Sequence, residues 1–200
     1  MDLKVQDVKY ADGPPMENMY IRSFFDDPFH RTLFPDMPFD KQVAGVVKRW
    51  PSNYGAPWTP LTRKSWPVRS ATRAEDGIPI EPPPTPEGLN DLFAIEFTYK
   101  VRKVRRDALG DRPHLEMKML GTVPQYRRKG AASLQLQWAV DTADKEELVC
   151  WVDASPEAMP LYHKFGFEIR GEVVSQLQPS AGGGTYTYYC MLREPRAKSR

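Results

Sequence analysis

The stretch with the clearest chemical potential is Gln125-Tyr126-Arg127-Arg128-Lys129-Gly130-Ala131-Ala132-Ser133. Three cations precede a glycine and two alanines, and an apolar helical repeat follows. A helix that opens on small residues presents unpaired backbone N–H groups and the positive end of its dipole. The small residues let that backbone come close to an anion, and a pyrophosphate suits such a cradle. The candidate contacts are the N–H groups of Arg128, Gly130, Ala131 and Ala132, with the Ser133 hydroxyl beside them. Arg127 or Lys129 would add charge. The spacing is not that of a P-loop, since no Gly-Lys-Ser/Thr follows, nor of a dinucleotide G-x-G-x-x-G.

The elements around this turn are legible. His114, Glu116 and Lys118 alternate with Leu115, Met117 and Met119, the period of a half-buried strand. After Gly130, Leu134, Trp138 and Asp141 share one side at helical spacing, with Leu136, Ala139, Val140 and Ala143 beside them. The unit is therefore strand, basic glycine turn, helix. A second stretch follows, Leu148-Val-Cys-Trp-Val-Asp-Ala-Ser155-Pro-Glu-Ala-Met-Pro-Leu-Tyr162-His-Lys-Phe-Gly-Phe167. Leu148 to Val152 reads as a buried strand. Ser155 suits an N-cap and Pro156 a first helical position, and Gly166 suits the helix end. Tyr162 by itself fits a core aromatic beside Leu161 and Phe165, and Ser155 fits a plain cap.

Two motifs in this order, Arg127-x-x-Gly130-x-Ala132 and then S-P-x-A-x-x-L-Y-x-K-x-G-F, resemble the two halves of the acyl-CoA site in the GNAT superfamily of acyltransferases. The resemblance covers Asp111 to about Leu192 well and the N-terminal half loosely. It implies an α/β fold of the α+β type: a mixed, mostly antiparallel sheet with helices on both faces and splayed central strands. It implies acetyl-CoA as co-substrate, with the pantetheine arm pairing like an added strand along the backbone of Leu120, Gly121, Thr122 and Val123. The pyrophosphate would fall to Arg127, Arg128, Lys129, Gly130, Ala131, Ala132 and Ser133. Ser155 stands where many members carry a cofactor-contacting asparagine. Tyr162 matches the tyrosine that protonates the leaving thiolate. Glu116 lies where some members carry a catalytic glutamate, while Asp153 and Glu157 flank the second motif. As residues alone, all three carboxylates also suit the surface. The expected reaction is direct attack of a primary amine on the thioester, since no cysteine or serine is set as a nucleophile. A small molecule or secondary metabolite is the first acceptor class. A protein or peptide amine, or binding of acyl-CoA without turnover, are the alternatives.

The bulk properties bound the rest. Two hundred residues with 40% hydrophobic content suit one soluble domain with a sizeable core, over residues 1–192, and a polar tail over 193–200. A net charge of +2 gives no global field for nucleic acid or acidic lipid. Cys150 and Cys190 lie in apolar runs and read as buried reduced thiols. The three histidines are scattered, so no metal-ligand spacing is present. No apolar leader follows Met1 and no run approaches the length of a membrane span, which points to the cytoplasm or nucleus. A monomer or homodimer is expected.

The N-terminal half reads as an edge strand over Leu3–Tyr10, a helix over Met16–Phe25, a break at Asp26-Asp-Pro28 and a second helix over Phe39–Trp50. It resembles the opening of fungal-type members, whose helical pair covers the acceptor end. Pro51 to Asn90 holds nine of the twenty prolines. Ser65–Thr72 reads as a strand there, while residues 51–85 as a whole read as a proline-rich insertion or degenerate hairpin. Leu89, Leu92, Phe93, Phe97, Val101, Val104 and Ala108 then follow helical spacing to a stop at Gly110, an apolar stripe fit for core packing. Phe167–Val174 and Thr185–Leu192 read as strands joined by a flexible Pro-Ser-Ala-Gly-Gly-Gly turn.

Overall fold

The computed structural model describes residues 3–5, 9–50 and 86–196. Three helices come first: α1 (Gly13–Phe24), α2 (Pro28–Leu33) and α3 (Phe39–Val47). A long α4 (Asp91–Leu109) leads to β1 (His114–Met117), α5 (Ala131–Lys145), β2 (Val149–Ala154) and α6 (Met159–Lys164). Two long strands close the fold, β3 (Glu168–Gln176) and β4 (Thr185–Arg193). The sheet order is β1-β2-β4-β3. Only β1 and β2 are parallel, joined across α5, and the other pairs are antiparallel.

Strand alternation divides the core between the two faces of the sheet. Cys150, Val152 and Ala154 of β2 meet Leu136, Ala139, Val140 and Ala143 of α5, together with Tyr162 of α6. Val149 and Trp151 of the same strand face the other way, onto Val101, Val104 and Leu109 of α4. Trp151, Cys150, Cys190 and Met191 are fully buried. The mixed sheet covered by helices on both faces is the expected fold. Above it, Phe29 of α2 is buried among Phe93 and Phe97 of α4 and Tyr186 and Tyr188 of β4, with ring centroids 4.6–5.8 Å apart. This aromatic cluster seats the N-terminal helices on the sheet.

Several expectations are corrected. Residues 3–5 and 9 have no regular structure, and Tyr10–Asp12 is a 3-10 turn rather than the end of an edge strand. The Phe39 helix stops at Val47. Trp138 is half exposed, because the buried face of α5 is the Leu136/Ala139/Val140/Ala143 side. Leu92 is 82% exposed, so the stripe of α4 does not all pack inward. The helix after Ser155 begins at Met159, three residues past the expected Pro156. The tail begins late: Arg193 belongs to β4 and is buried, and residues through Arg196 are bonded to the body. The expected Ser65–Thr72 strand and the 51–85 insertion lie outside the described residues. Among the described residues no helix is long and apolar enough to cross a membrane.

Candidate active site

The β1–β2 ladder is four residues long. It runs from His114↔Val149 to Met117↔Val152, and β2 then continues to Ala154 without a partner on that side among the described residues. Beyond Met117 the chain leaves β2, and residues 118–123 take no strand pairing among the described residues. A cavity of about 580 Å³ opens at this parting. Leu120, Gly121 and Thr122 form one wall. Ser155, Leu161 and Tyr162 stand in the other, and the 126–133 loop closes one end. The end of α1 and the Asp26-Asp27-Pro28 turn cover the far side.

The basic turn is built as a cradle. Pro124–Tyr126 forms a 3-10 turn, Arg128 takes a positive φ of 60°, and Gly130 takes φ 89° as the N-cap of α5. No side chain caps the helix, and the first-turn N–H groups of Ala131, Ala132 and Ser133 have no acceptor one turn back. A Cβ built on Gly130 meets nothing within 4 Å. Glycine is therefore favoured here by the left-handed backbone, not by crowding. Arg128, Gly130, Ala131, Ala132 and Ser133 all line the cavity. These residues fit a polyanionic group such as the pyrophosphate of an acyl-CoA.

Other expected contacts are placed differently. Arg127 lines the cavity, but its guanidinium is engaged: Nε donates to the Thr122 carbonyl at 3.2 Å and Nη2 to the Ser23 carbonyl at 2.9 Å. It braces the exit of β1 against the end of α1. Lys129 is outside the lining and lays its ammonium over the Tyr126 ring, 5.4 Å from the centroid. Val123 is buried beneath the wall rather than in it. Ser155 lines the cavity, and its Oγ accepts from the Ala158 N–H at 3.3 Å, as a cap does.

Tyr162 is 4% exposed, with its ring edge-on to Phe167 at 5.4 Å and its side chain in the cavity wall. Burial pushes its pKa up to about 12, so the phenol stays protonated. Glu116 is away from the cavity lining. It points to the α4 face and pairs with Arg105. Asp153 also faces α4, where its Oδ1 accepts from the Trp151 indole N–H at 3.1 Å and burial raises its pKa. The carboxylates in the lining are Asp26, Asp27 and Glu157. Asp27 caps α2 by accepting from the N–H groups of Phe29 and His30, and its other oxygen accepts from the Tyr186 hydroxyl at 2.8 Å. The Asp-Pro cap is a sequence signal. The tie to Tyr186, 159 residues along, is not.

Gly121 was missed as a packing residue. A Cβ there would stand 2.7 Å from the Phe24 ring and 2.9 Å from Ser23 Cβ. Its bareness lets α1 lean on the exit strand. Cys150 and Cys190 are buried and free, and burial holds both thiols up, Cys150 to about 11. Neither is a thiolate at neutral pH. No group of three metal-binding side chains occurs among the described residues.

A parallel strand pair parts over an uncapped helix N-terminus, and sequence comparison bears on this same region. Residues 93–167, which hold both motifs, match the family model described as acetyltransferase (GNAT) family. Over those residues the chain is similar to that acetyltransferase family. Its fold is similar to a structure from Corynebacterium glutamicum described as histone acetyltransferase HPA2 and related acetyltransferase. That likeness has a TM-score of 0.53 at 17% identity, over 98% of this chain and 97% of the other. An N-acetyltransferase described as GCN5-related, from Rhodopseudomonas palustris, matches 52% of this chain and 88% of its own at 14% identity. Its TM-score of 0.33 is too low to bear on the fold. No curated protein matches the chain.

Proposed function

We propose that this chain moves an acetyl group from acetyl-CoA to a primary amine of a small molecule by direct attack on the thioester. The observation that carries the reading is the β1–β2 parting, which opens onto the bare N-terminus of α5 with Tyr162 in its wall. The Gly130 turn holds the pyrophosphate end through backbone N–H groups. The 120–122 backbone offers the arm an edge to pair with, one carbonyl of which, at Thr122, is already taken by Arg127.

Tyr162 supplies a hydrogen bond to the departing sulfur. A phenol near 12 faces a thiol of about 8.5, so full proton transfer to a free thiolate is uphill by roughly 3–4 units. The hydroxyl therefore stabilises the thiolate as a donor and keeps its own proton; the C–S bond breaks, and the departing CoA thiolate takes its proton from water. Glu116 is not needed for proton removal in this reading. The amine loses its proton to water held against Asp26, Asp27 or Glu157, the carboxylates that line the cavity.

The likeness to a protein described as a histone acetyltransferase favours a second reading, a protein or peptide amine as acceptor. The deciding experiment follows thiol release from acetyl-CoA over a panel of small amines and of lysine peptides, with binding measured by calorimetry. Turnover on a small amine supports the first reading, and turnover on peptides alone supports the second. Tight acetyl-CoA binding without thiol release on either panel would leave a binding module.

A further inference from the structure

α6 spans six residues, too few to hold a helix in place by its own hydrogen bonds. Its setting comes from the packing of Tyr162, Met159 and Leu161 on the core and from tethers at its two ends. At the start, the Ser155 hydroxyl accepts from the Ala158 N–H. At the far end the tether is a buried cation. Arg193, 3% exposed, donates from Nε to the Phe165 carbonyl at 2.9 Å. Its two terminal nitrogens donate to the two carboxylate oxygens of Asp144, each at 2.7 Å. Asp144 also accepts from the Arg196 backbone N–H at 2.8 Å.

The positions of these partners matter more than their number. Phe165 is the C-cap of α6, and the N–H groups of Phe165 and Phe167 both donate to the Tyr162 carbonyl, at 3.0 and 3.2 Å. A shift at Phe165 is therefore passed to Tyr162. Asp144 lies in the last turn of α5, the helix whose first turn is the Gly130 cradle. One guanidinium thus joins the far ends of two helices that both contribute residues to the cavity lining. A buried ion pair adds little stability over well-packed apolar residues, but its fixed fork imposes one geometry.

We propose that Arg193 and Asp144 are positioning residues that set the Tyr162 hydroxyl relative to the cofactor cradle. The proposal rests on the acyl-transfer reading above, with Tyr162 as the donor to the leaving group. Neither residue touches the cavity. Displacing a reacting group by about 1 Å can cost as much as 10²-fold in rate, so a loosened α6 is expected to act on kcat.

The test is a double-mutant cycle. Arg193→Lys keeps the charge and loses the fork, and Asp144→Asn keeps the shape and loses the charge. Each is measured in the wild-type and the Tyr162→Phe background, with an amine found active on the panel. Each single variant should lower kcat about tenfold while the acetyl-CoA Kd stays within about twofold, and in the Tyr162→Phe background neither should lower kcat by more than about twofold further. Should these variants fail to fold, the paired replacement Arg193→Met with Asp144→Leu fills the site with apolar side chains and is measured in the same cycle. Equal losses in both backgrounds overturn the positioning role, as does a weakened Kd with unchanged kcat. If Tyr162→Phe alone leaves kcat untouched, the donor assignment fails and the proposal falls with it. If no acceptor turns over, the acyl-transfer reading fails and takes the proposal with it.

Discussion

Gly130 offers two assays that should move apart. Its φ of 89° is left-handed, and a Cβ there meets open space. Gly130→Ala therefore tests the backbone alone. A side chain in this conformation costs roughly 1–2 kcal/mol, and the lost flexibility of the unfolded chain returns about 0.4–1. The net loss is about 1 kcal/mol, or roughly 2–4 °C in Tm for a chain of this size. Gly130→Asp adds a carboxylate at the N-terminus of α5. Aspartate is a good N-cap and tolerates the left-handed region, so the apo variant should melt close to wild type. Acetyl-CoA must then bring its pyrophosphate against that charge. Two unit charges roughly 5 Å apart at an effective dielectric near 20 repel by about 3 kcal/mol before salt screening. A loss of affinity of tenfold or more follows, at least about 1.4 kcal/mol. Calorimetry with acetyl-CoA at two salt concentrations, paired with thermal melts, gives both numbers. An aspartate variant that melts normally and binds acetyl-CoA as well as wild type refutes the cradle.

Tyr162→Phe keeps the ring on Phe167 and removes one hydrogen bond to a charged sulfur, worth roughly 1.5–3 kcal/mol, so it should lower kcat about 10- to 100-fold with acetyl-CoA affinity retained; an unchanged kcat on an active amine removes Tyr162 from the chemistry. A Cys150→Ala, Cys190→Ala double variant should lose roughly 1 kcal/mol per buried sulfur and keep its turnover, and a dead but folded variant would reveal a thiol step. Arg127→Lys keeps the charge but cannot span the Thr122 and Ser23 carbonyls, so it should raise the acceptor KM while the salt dependence of acetyl-CoA binding stays the same. A reduced salt slope would instead make Arg127 a phosphate contact. The hydrogen bonds from Arg193 hold the Asp144 carboxyl below its ordinary value of 3.8. A lowered folded-state pKa contributes stability above that value and loses it as pH falls through the folded one. Wild type should therefore lose stability steeply in acid melts, while Asp144→Asn, less stable at neutral pH, should show a flatter profile.

The C-terminal half was legible because its signals are local. Alternation named β1, β2, β3 and β4 to within a residue or two, and small residues after a basic run marked the start of α5. The bare helix start after Gly130 was legible for the same reason, since a helix N-terminus is a property of adjacent residues. What escaped depends on distance in sequence. The ion pair of Glu116 with Arg105 turns a strand glutamate toward α4, and nothing local to His114–Met119 announces that partner. Arg127 reads as a phosphate ligand until the Ser23 carbonyl, 104 residues earlier, is brought beside it. Trp138 and Asp141 share a helical side with Leu134, yet the wider apolar arc two positions away is the one that packs. Arg193 reads as the first residue of a tail because a terminal arginine run is usually solvated. Only the fold shows Asp144 waiting for it.

The brace made by Arg127 also bears on how this protein could be re-engineered. The end of α1 and the exit of β1 are packed together. Gly121 sits under Phe24 with no room for a methyl group, and Arg127 stitches the two backbones together. On the proposed reading, the segment that would take the acyl-CoA is therefore not a portable cassette. Grafting a new α1 to change acceptor choice would alter the spacing at 120–122, and the two specificities would drift together unless residues 22–24, 121 and 127 were transplanted as one unit.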